Sequence, residues 1–475
     1  MSSPKYVSYQ EVQKHTSRDS CWMIIDGQVY DAALIMESHP GGSAVLLKSA
    51  GKDATKAFKP VHPPGTLSQL PAHAVIGPVD PATVPKEATQ LFEEEKRILK
   101  ARASLPPPSA AINIQDIEEL AQQVLSTQAW AYYRSAADHE NCKYHPYFEN
   151  AAAFRRFWFR PRVLNKVSVL STKTTMLSVP CSLPIYITPT ALARLGHPDG
   201  EMNFTRAAAK EGLTQGVSDY ASCSAEEIMS VKRPDQALYM STDRKAAESK
   251  IRSLEGLGFK ALILTVDAIV AGKRELDRRA KADNTSAVGL RSHLNATGSE
   301  AGLGVAHVCR CLTFQAGDDI AWIRSLTKLP LVIKGIQSVE DVVIAFNHKV
   351  DGVVLSNHGG RSLDFSPAPM TVLYELSQLR PDLLWRSDFE VYLDGGVSRG
   401  TDVLKALCLG ARAVGMGRPF LYANSLWGEE GCRRVVEIMR EEIHTSMRFL
   451  GVNSLAQLSP NMVRYVDRDP VRCRL

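Results

Sequence analysis

From residue 184 onward the chain repeats one pattern eight times, a short apolar run followed by a helical stretch. The runs are PIYIT (184–188), LTQGVS (213–218), ALYMS (237–241), ALILTV (261–266), LVIK (331–334), GVVLS (352–356), VYLDG (391–395) and AVGMG (413–417). Short runs without polar alternation are what parallel strands buried on both faces look like. Eight alternations of strand and helix over about 250 residues are what a (β/α)8 TIM barrel needs, and a doubly wound sheet usually shows fewer. Catalytic groups in such barrels sit at the C-terminal ends of the strands. Polar residues cluster there: Thr265-Val266-Asp267 after strand four, Lys334-Gly335 at the end of strand five, and Ser356-Asn357-His358-Gly359-Gly360-Arg361 after strand six. Asp394-Gly395-Gly396 follows strand seven, and Gly415-Met416-Gly417-Arg418 closes strand eight. The longest strand-free insertion, about 276–318, is rich in Ser, Ala, Gly and charge and reads as a mobile lid or loop.

A chain of 475 residues exceeds what a barrel alone requires, which points to two domains. Composition shifts between Val79 and Pro108, where DPATVPKEATQ leads into the charged run LFEEEKRILKARA and then LPPP, the mark of a linker or hinge. The expected division is 1–80, a linker over 81–110, and a barrel domain over 111–475. Residues 1–80 mix short strands, CWMII and QVYD joined by Asp26-Gly27, with the helical SAVLLKSA, a small α+β module. A net charge of +5 without a dense basic run gives no footprint for nucleic acid, while acidic small substrates stay open. No apolar stretch reaches the 18 or so residues of a membrane span. Nine cysteines without a CxxC pair point to free thiols in a reducing compartment. MSSPKYVSYQEV carries neither a secretory nor a mitochondrial presequence pattern, so the cytoplasm is the expected location and the mitochondrial intermembrane space the alternative.

His39 lies in the turn His39-Pro40-Gly41-Gly42, and His62 follows 23 residues later. Two imidazoles on separate loops, with Trp22, Ile35, Leu46 and Phe58 around them, could hold a haem iron from both faces and leave no open position, which suits electron transfer and not oxygen binding. The plain alternative is a pair of unrelated loop histidines. Gly-rich turns after strands seven and eight, with Arg418 beside them, suit an anionic phosphate, against a plain reading as tight turns. His358 is a candidate base, Arg361 a carboxylate clamp, Asp267 a partner that orients the imidazole, and Lys334 a cation for negative charge developing on a ring. Tyr239 and the Tyr132-Tyr133 pair offer hydroxyls, although aromatics at helical spacing are often core. Together these suit removal of a proton and two electrons from a carbon next to a carboxylate.

Residues 5–80 resemble the cytochrome b5-type haem domains. The resemblance rests on Trp22, Val29-Tyr30-Asp31, the His39 turn, Ala50-Gly51-Lys52-Asp53-Ala54-Thr55 and Phe58, with His62 where that family's second axial ligand falls, and it implies bis-histidine haem b. Asp31-Ala32-Ala33 departs from the family, which usually has a Ser or Thr there to cap the next helix. Residues 112–462 resemble the FMN-dependent 2-hydroxy-acid oxidising enzymes through SNHGGRSLD (356–364), DGGVSRGTDVLKALCLGA (394–411), GRPFLYA (417–423), LPPP and QAWAYY (128–133). The two parts in this order resemble the flavocytochrome b2 family.

That resemblance implies oxidation of an L-2-hydroxy acid, L-lactate first among the candidates, with electrons passed by FMN to haem b and on to a soluble acceptor such as cytochrome c, in a homotetramer. It makes His358 the base and Asp267 its partner. Arg361 and Tyr132 would bind the substrate carboxylate, Tyr239 its hydroxyl, Arg274 would stabilise charge on the reduced flavin, and Lys334 would face flavin N1 and the C2 oxygen. FMN would also be held by Pro189, Thr190, Ala191, Ser218, Thr265, Ser356, Asp394, Gly395, Gly396, Gly417 and Arg418. Two other readings are an oxidase that sends electrons to oxygen and a redox module or sensor without turnover. Departures include Ala237 for the family's flavin-contacting Gln, Ile269 for a proline, Ala136 for a glycine, and a short C-terminal tail that weakens the case for a tetramer. Tyr220, where relatives carry residues of many sizes, favours a short substrate.

Overall fold

The structure is a computed structural model that describes residues 6–37, 39, 43–59, 61–62, 65–85, 93–138, 146–232, 238–242, 247–268, 272–282 and 316–466. Eight parallel strands close into a barrel: Ile185–Ile187, Thr214–Val217, Leu238–Thr242, Ala261–Thr265, Leu331–Ile336, Gly352–Leu355, Glu390–Asp394 and Ala413–Met416. Each falls on one of the eight apolar runs. Closure is made where the eighth strand pairs with the first, Val414 opposite Ile185, and the first with the second, Tyr186 opposite Thr214. Alternate residues serve two cores, as the period of two requires. Ala261 and Ile263 join Tyr186, Val332, Val354 and Tyr392 inside the barrel, while Leu262 and Leu264 pack against the helices outside. Both faces are therefore apolar, the reason the strands read as unbroken runs. The hairpin Thr174–Met176 with Val179–Cys181 adds Met176 and Cys181 to the inner cluster.

The fifth strand differs from its sequence reading. Lys334 is not its last residue; the strand runs on to Ile336, and its pairing with strand six slips between Lys334 and Ile336. The extra residue is Gly335, at φ 108°, where an added Cβ would stand 2.5 Å from the Cβ of Asp267. Only glycine lets the two chains approach this closely, and the bulge turns Lys334 and Asp267 toward one place.

In the N-terminal module four strands form a sheet in chain order, Thr16–Ser17, Ser20–Ile25, Gln28–Asp31 and Val75–Pro78. Asp26 and Gly27 both have positive φ, 50° and 75°, the twist that a two-residue hairpin demands. The short helix Ala33–Ile35 receives no cap from Ala32, but the Asp31 carboxylate accepts from the Ala33 N–H at 3.0 Å and fills that role.

The charged run in the linker forms the helix Glu93–Ala103, and its charges fasten it to the barrel domain. Arg97 donates to the carbonyls of Gln123 and Leu125 at 2.6 and 2.8 Å, and Arg102 to those of Ser425 and Gly196 at 3.0 and 3.2 Å. Glu94 accepts from the Thr127 N–H at 2.7 Å. Of the insertion read as a lid, its start lies in the helix Glu275–Ala282 and its end in the helix Ala316–Leu326, while 283–315 lies outside the described residues. Among the described residues no helix is long and apolar enough to cross a membrane. Cys21, Cys181, Cys223, Cys408 and Cys432 are free and buried.

Candidate active site and cofactor sites

The loop after strand six carries three successive left-handed residues, His358 at φ 58°, Gly359 at 66° and Gly360 at 80°. The conformation costs the histidine on the order of 1 kcal/mol and lifts its side chain over the barrel mouth. His358 Nδ1 lies 2.9 Å from Asp267 Oδ1, and the His358 N–H donates to Ser356 Oγ at 3.0 Å. The Asp267 side chain is wholly buried, whereas that of His358 is 34% exposed. Burial, reinforced by Lys334 and Arg274, holds the imidazole below the ordinary histidine range against the pull of Asp267. Burial also disfavours charge on Asp267, but Lys334 and then His358 outweigh it and keep the carboxylate ionised. A neutral imidazole whose Nδ1–H is held by a carboxylate leaves Nε2 as a proton acceptor.

Beneath this pair, Lys334 is buried with Nζ 3.9 Å from Asp267 and 3.7 Å from Asp394. Burial alone would lower its pKa, yet the two carboxylates hold the ammonium above its usual range. Lys334 donates to Ser356 Oγ at 3.2 Å, Ser356 to Asp394 at 2.5 Å, and Thr188 to the other Asp394 oxygen at 2.8 Å. The ends of strands one, four, five, six and seven are thus tied by one buried polar network. Lys334→Met should leave two buried carboxylates without their shared cation, a loss of about 3 kcal/mol. A fall in the denaturation midpoint checks this, and an unchanged midpoint would contradict the network.

Arg361 and Arg418 have a use that their sequence reading does not include. Both cap the C-terminal end of the helix Thr127–Arg134, where carbonyls lack helical partners. Arg361 donates to the carbonyls of Tyr132, Tyr133 and Ser135, and Arg418 to those of Tyr133, Ser135 and Gly359. The Arg361 bonds use Nε and Nη2, and its guanidinium carbon lies 5.3 Å over the Tyr132 ring. Burial, with Arg418 and Arg274 nearby, pushes the Arg361 pKa down to about 9, so it stays charged at neutral pH. Three guanidiniums in one neighbourhood make a field that favours an anion at the barrel mouth.

The glycine turns fit a phosphate. Gly395 and Gly396 have positive φ, 100° and 80°, and a Cβ on either would run into Asn150, so the turn after strand seven depends on both glycines. A Cβ on Gly417 would meet the methyls of Thr188 and Thr190 at 3.0 and 3.1 Å. Pro189, Thr190, Ala191, Ser218 and Thr265 stand half-buried around the same mouth. The structure describes Tyr239 only as part of its strand; its side chain, Ala237 and Ile269 lie outside the described residues.

In the N-terminal module the rings of His39 and His62 face each other with centroids 5.9 Å apart. Two imidazole nitrogens, each about 2 Å from one metal ion, place their ring centres roughly 6 Å apart. His62 Nδ1 donates to the Phe58 carbonyl at 3.0 Å, which fixes the tautomer and leaves Nε2 for the metal. Phe58 stacks on the His62 ring at 4.1 Å. Burial keeps His62 below the usual histidine range, in its neutral, ligating form. The pair fits haem iron.

Residues 121–465 match the family model described as FMN-dependent dehydrogenase. The chain belongs to the FMN-dependent dehydrogenase family. Residues 8–80 match the cytochrome b5-like heme/steroid binding domain, so this member of the dehydrogenase family uses both FMN and haem b. It is 40% identical to an L-lactate dehydrogenase (cytochrome) of Wickerhamomyces anomalus, over 95% of this chain and 78% of that one. With the Saccharomyces cerevisiae protein of the same name it shares 41% identity over 96% of this chain and 79% of the relative. Among solved structures it resembles a mutant flavocytochrome b2 with pyruvate bound, at TM-score 0.70 and 40% identity, covering 81% of this chain and 94% of that one.

Three residues at this dehydrogenase's barrel mouth were given no role of their own in the sequence. Thr188, which holds Asp394, closes the PIYIT run, and its place at a strand end was the available signal. Asn357 lies inside a quoted motif, and Asn150 bonds to it across 207 residues of sequence. An asparagine in mid-helix is the one local mark of Asn150, and it does not name the partner.

Proposed function

We propose that the chain oxidises an L-2-hydroxy acid, with L-lactate as substrate, to the 2-oxo acid and delivers the electrons through haem b to a soluble one-electron acceptor such as cytochrome c. The observation that carries this reading is the neutral His358 held at 2.9 Å by Asp267, above a buried lysine, in the same chain as the facing His39 and His62 rings. The relatives' names point the same way.

FMN, when bound, supplies a two-electron acceptor beside the substrate, and haem b a one-electron relay. His358 takes up the proton that the substrate releases, through Nε2, and Asp267 stabilises the imidazolium that results. The substrate carboxylate lies in the field of Arg361, Arg274 and Arg418, where the Arg361 Nη1 hydrogens and the Tyr132 hydroxyl bind it; Tyr239 contacts the substrate hydroxyl. Lys334 faces the ring system and offsets negative charge there. The glycine turns after strands seven and eight would hold the flavin phosphate, with the charge of Arg418, fixed by its bonds to three carbonyls, beside them. Tyr220 narrows the pocket toward short acids.

The working division stays 1–80 for the haem module, 81–110 for the connection and 111–475 for the barrel domain. Assembly as a homotetramer is checked by light scattering. The cytoplasm is the proposed compartment, and fractionation of tagged protein decides between it and the mitochondrial intermembrane space.

Anaerobic stopped-flow mixing with L-lactate tests the whole. Bleaching of the flavin band followed by growth of the reduced haem bands is expected. If neither chromophore responds to lactate, glycolate or longer 2-hydroxy acids, the proposal fails. Rapid oxygen consumption with little cytochrome c reduction would make the protein an oxidase.

A further inference from the structure

Asn150 and Asn357 form a closed pair. Asn150 Nδ2 donates to Asn357 Oδ1 at 2.7 Å, and Asn357 Nδ2 donates back to Asn150 Oδ1 at 2.7 Å. Both are buried, at 2% and 0% exposure. Asn150 sits in the middle of the helix Pro146–Arg155, where asparagine is a poor choice unless its side chain has work outside the helix. Asn357 directly precedes His358. Its Oδ1 also accepts from the Gly360 N–H at 2.9 Å, and its Nδ2 reaches the Pro367 carbonyl at 3.2 Å, so its amide spans the left-handed loop from inside. The other side of Asn150 meets the turn after strand seven. A Cβ on Gly395 would stand 3.0 Å from Asn150 Nδ2, and one on Gly396 would stand 2.3 Å from the Asn150 carbonyl. Asn150 therefore lies against both the loop that carries the base, through its amide, and the glycine turn proposed to hold the flavin phosphate, through its amide at Gly395 and its backbone carbonyl at Gly396.

We infer that the Asn150–Asn357 pair positions His358 relative to the flavin during 2-hydroxy-acid oxidation, which makes Asn150 a positioning residue. This rests on the proposed role of His358 as the base. The physical ground is self-complementarity. Each amide has a donor and an acceptor, and the pair satisfies both without water, so the two loops share a fixed separation. Without Asn150 the loop keeps its bonds to Ser356 and Arg418 but loses its reference to the strand-seven turn. The expected defect lies in the rate of the chemical step more than in substrate affinity.

The test compares wild type, Asn150→Ala, Asn150→Ser, Asn357→Ala and the double alanine variant as purified flavin- and haem-loaded proteins. Flavin content, the haem spectrum, kcat and KM for L-lactate, and the anaerobic rate of flavin bleaching are measured. Asn150→Ala should retain both chromophores, lower kcat and the bleaching rate about tenfold or more, and change KM less than threefold. Asn150→Ser, which keeps one hydrogen-bonding group in a smaller volume, should lose less. The double variant should fall no further than Asn357→Ala, because the two residues act as a unit. The inference is overturned if Asn150→Ala stays within twofold of wild type, or if the two losses multiply. It is also overturned if every variant loses its flavin while keeping haem, which would assign the pair to cofactor retention. Wild type that does not bleach with lactate would instead sink the proposed function itself.

Discussion

His358→Gln is expected to give a folded protein that keeps its flavin and haem spectra but oxidises L-lactate about 10²–10⁴-fold more slowly, the range that one positioned general base contributes. Glutamine retains polarity and roughly the reach of the imidazole, and it can still bond to Asp267, so the buried carboxylate is not stranded. It cannot accept a proton. The loss should fall on kcat, since Arg361 and Tyr132 are left in place, and should appear as slowed flavin bleaching under anaerobic conditions. The wild-type pH profile belongs to the same prediction. Burial, Lys334 and Arg274 keep His358 below the ordinary histidine range, so it remains neutral as pH falls through that range. The acid limb of kcat/KM should therefore lie below the pKa of a free histidine, about 6.5. Asp267→Asn removes the charge that supports the protonated ring, and should move that limb still lower while reducing kcat. A limb that stays in place, or His358→Gln at wild-type rate, would remove His358 from the role of base.

The second large effect separates the two redox centres. His62→Ala removes one of the two rings that face each other at 5.9 Å. Loss of an outer-shell partner alone lowers metal affinity about 10–100-fold, and loss of the ligand itself should exceed that, so the purified variant should contain little haem b. Lactate-driven flavin bleaching should persist near the wild-type rate, because no residue of the His358 network belongs to this module. Cytochrome c reduction should fall to background. Replacing His39 should reproduce this result. Retention of an unaltered haem spectrum in either variant would mean that the iron is held elsewhere.

The barrel was legible because its strands are buried on both faces: Leu262 and Leu264 meet helices while Ala261 and Ile263 fill the interior, and no polar residue interrupts 261–264. The Asp26-Gly27 hairpin was legible because only a few residue pairs tolerate two left-handed positions in succession. His358, Asp267, Lys334 and Asp394 could be gathered before any coordinates, since a barrel brings strand ends to one rim. What sequence could not carry was partnership at a distance. Arg361 and Arg418 read as anion binders, yet their forks also close a helix end more than 200 residues away, because carbonyls left over at a helix terminus are invisible in a pattern of side chains. The bulge at Gly335 was hidden for a similar reason. A glycine after a lysine looks like the end of a strand unless Asp267, on the neighbouring strand, is known to press against it. Asn150 showed only as a helical asparagine because its amide is satisfied by Asn357, in a loop 207 residues further on.

The helix Glu93–Ala103, fastened through Glu94, Arg97 and Arg102, also sets how far the two redox centres can part. The haem module is secured up to Thr83, whose Oγ1 accepts from the Tyr9 N–H at 2.8 Å. The stretch from residue 85 to residue 93 can reach no further than about 30 Å, whatever path it takes. Two centres carried on one chain meet at an effective concentration that does not depend on how much protein is in solution. Dilution should leave the first-order rate of haem reduction unchanged, while the onward transfer to a soluble acceptor continues to scale with that acceptor's concentration.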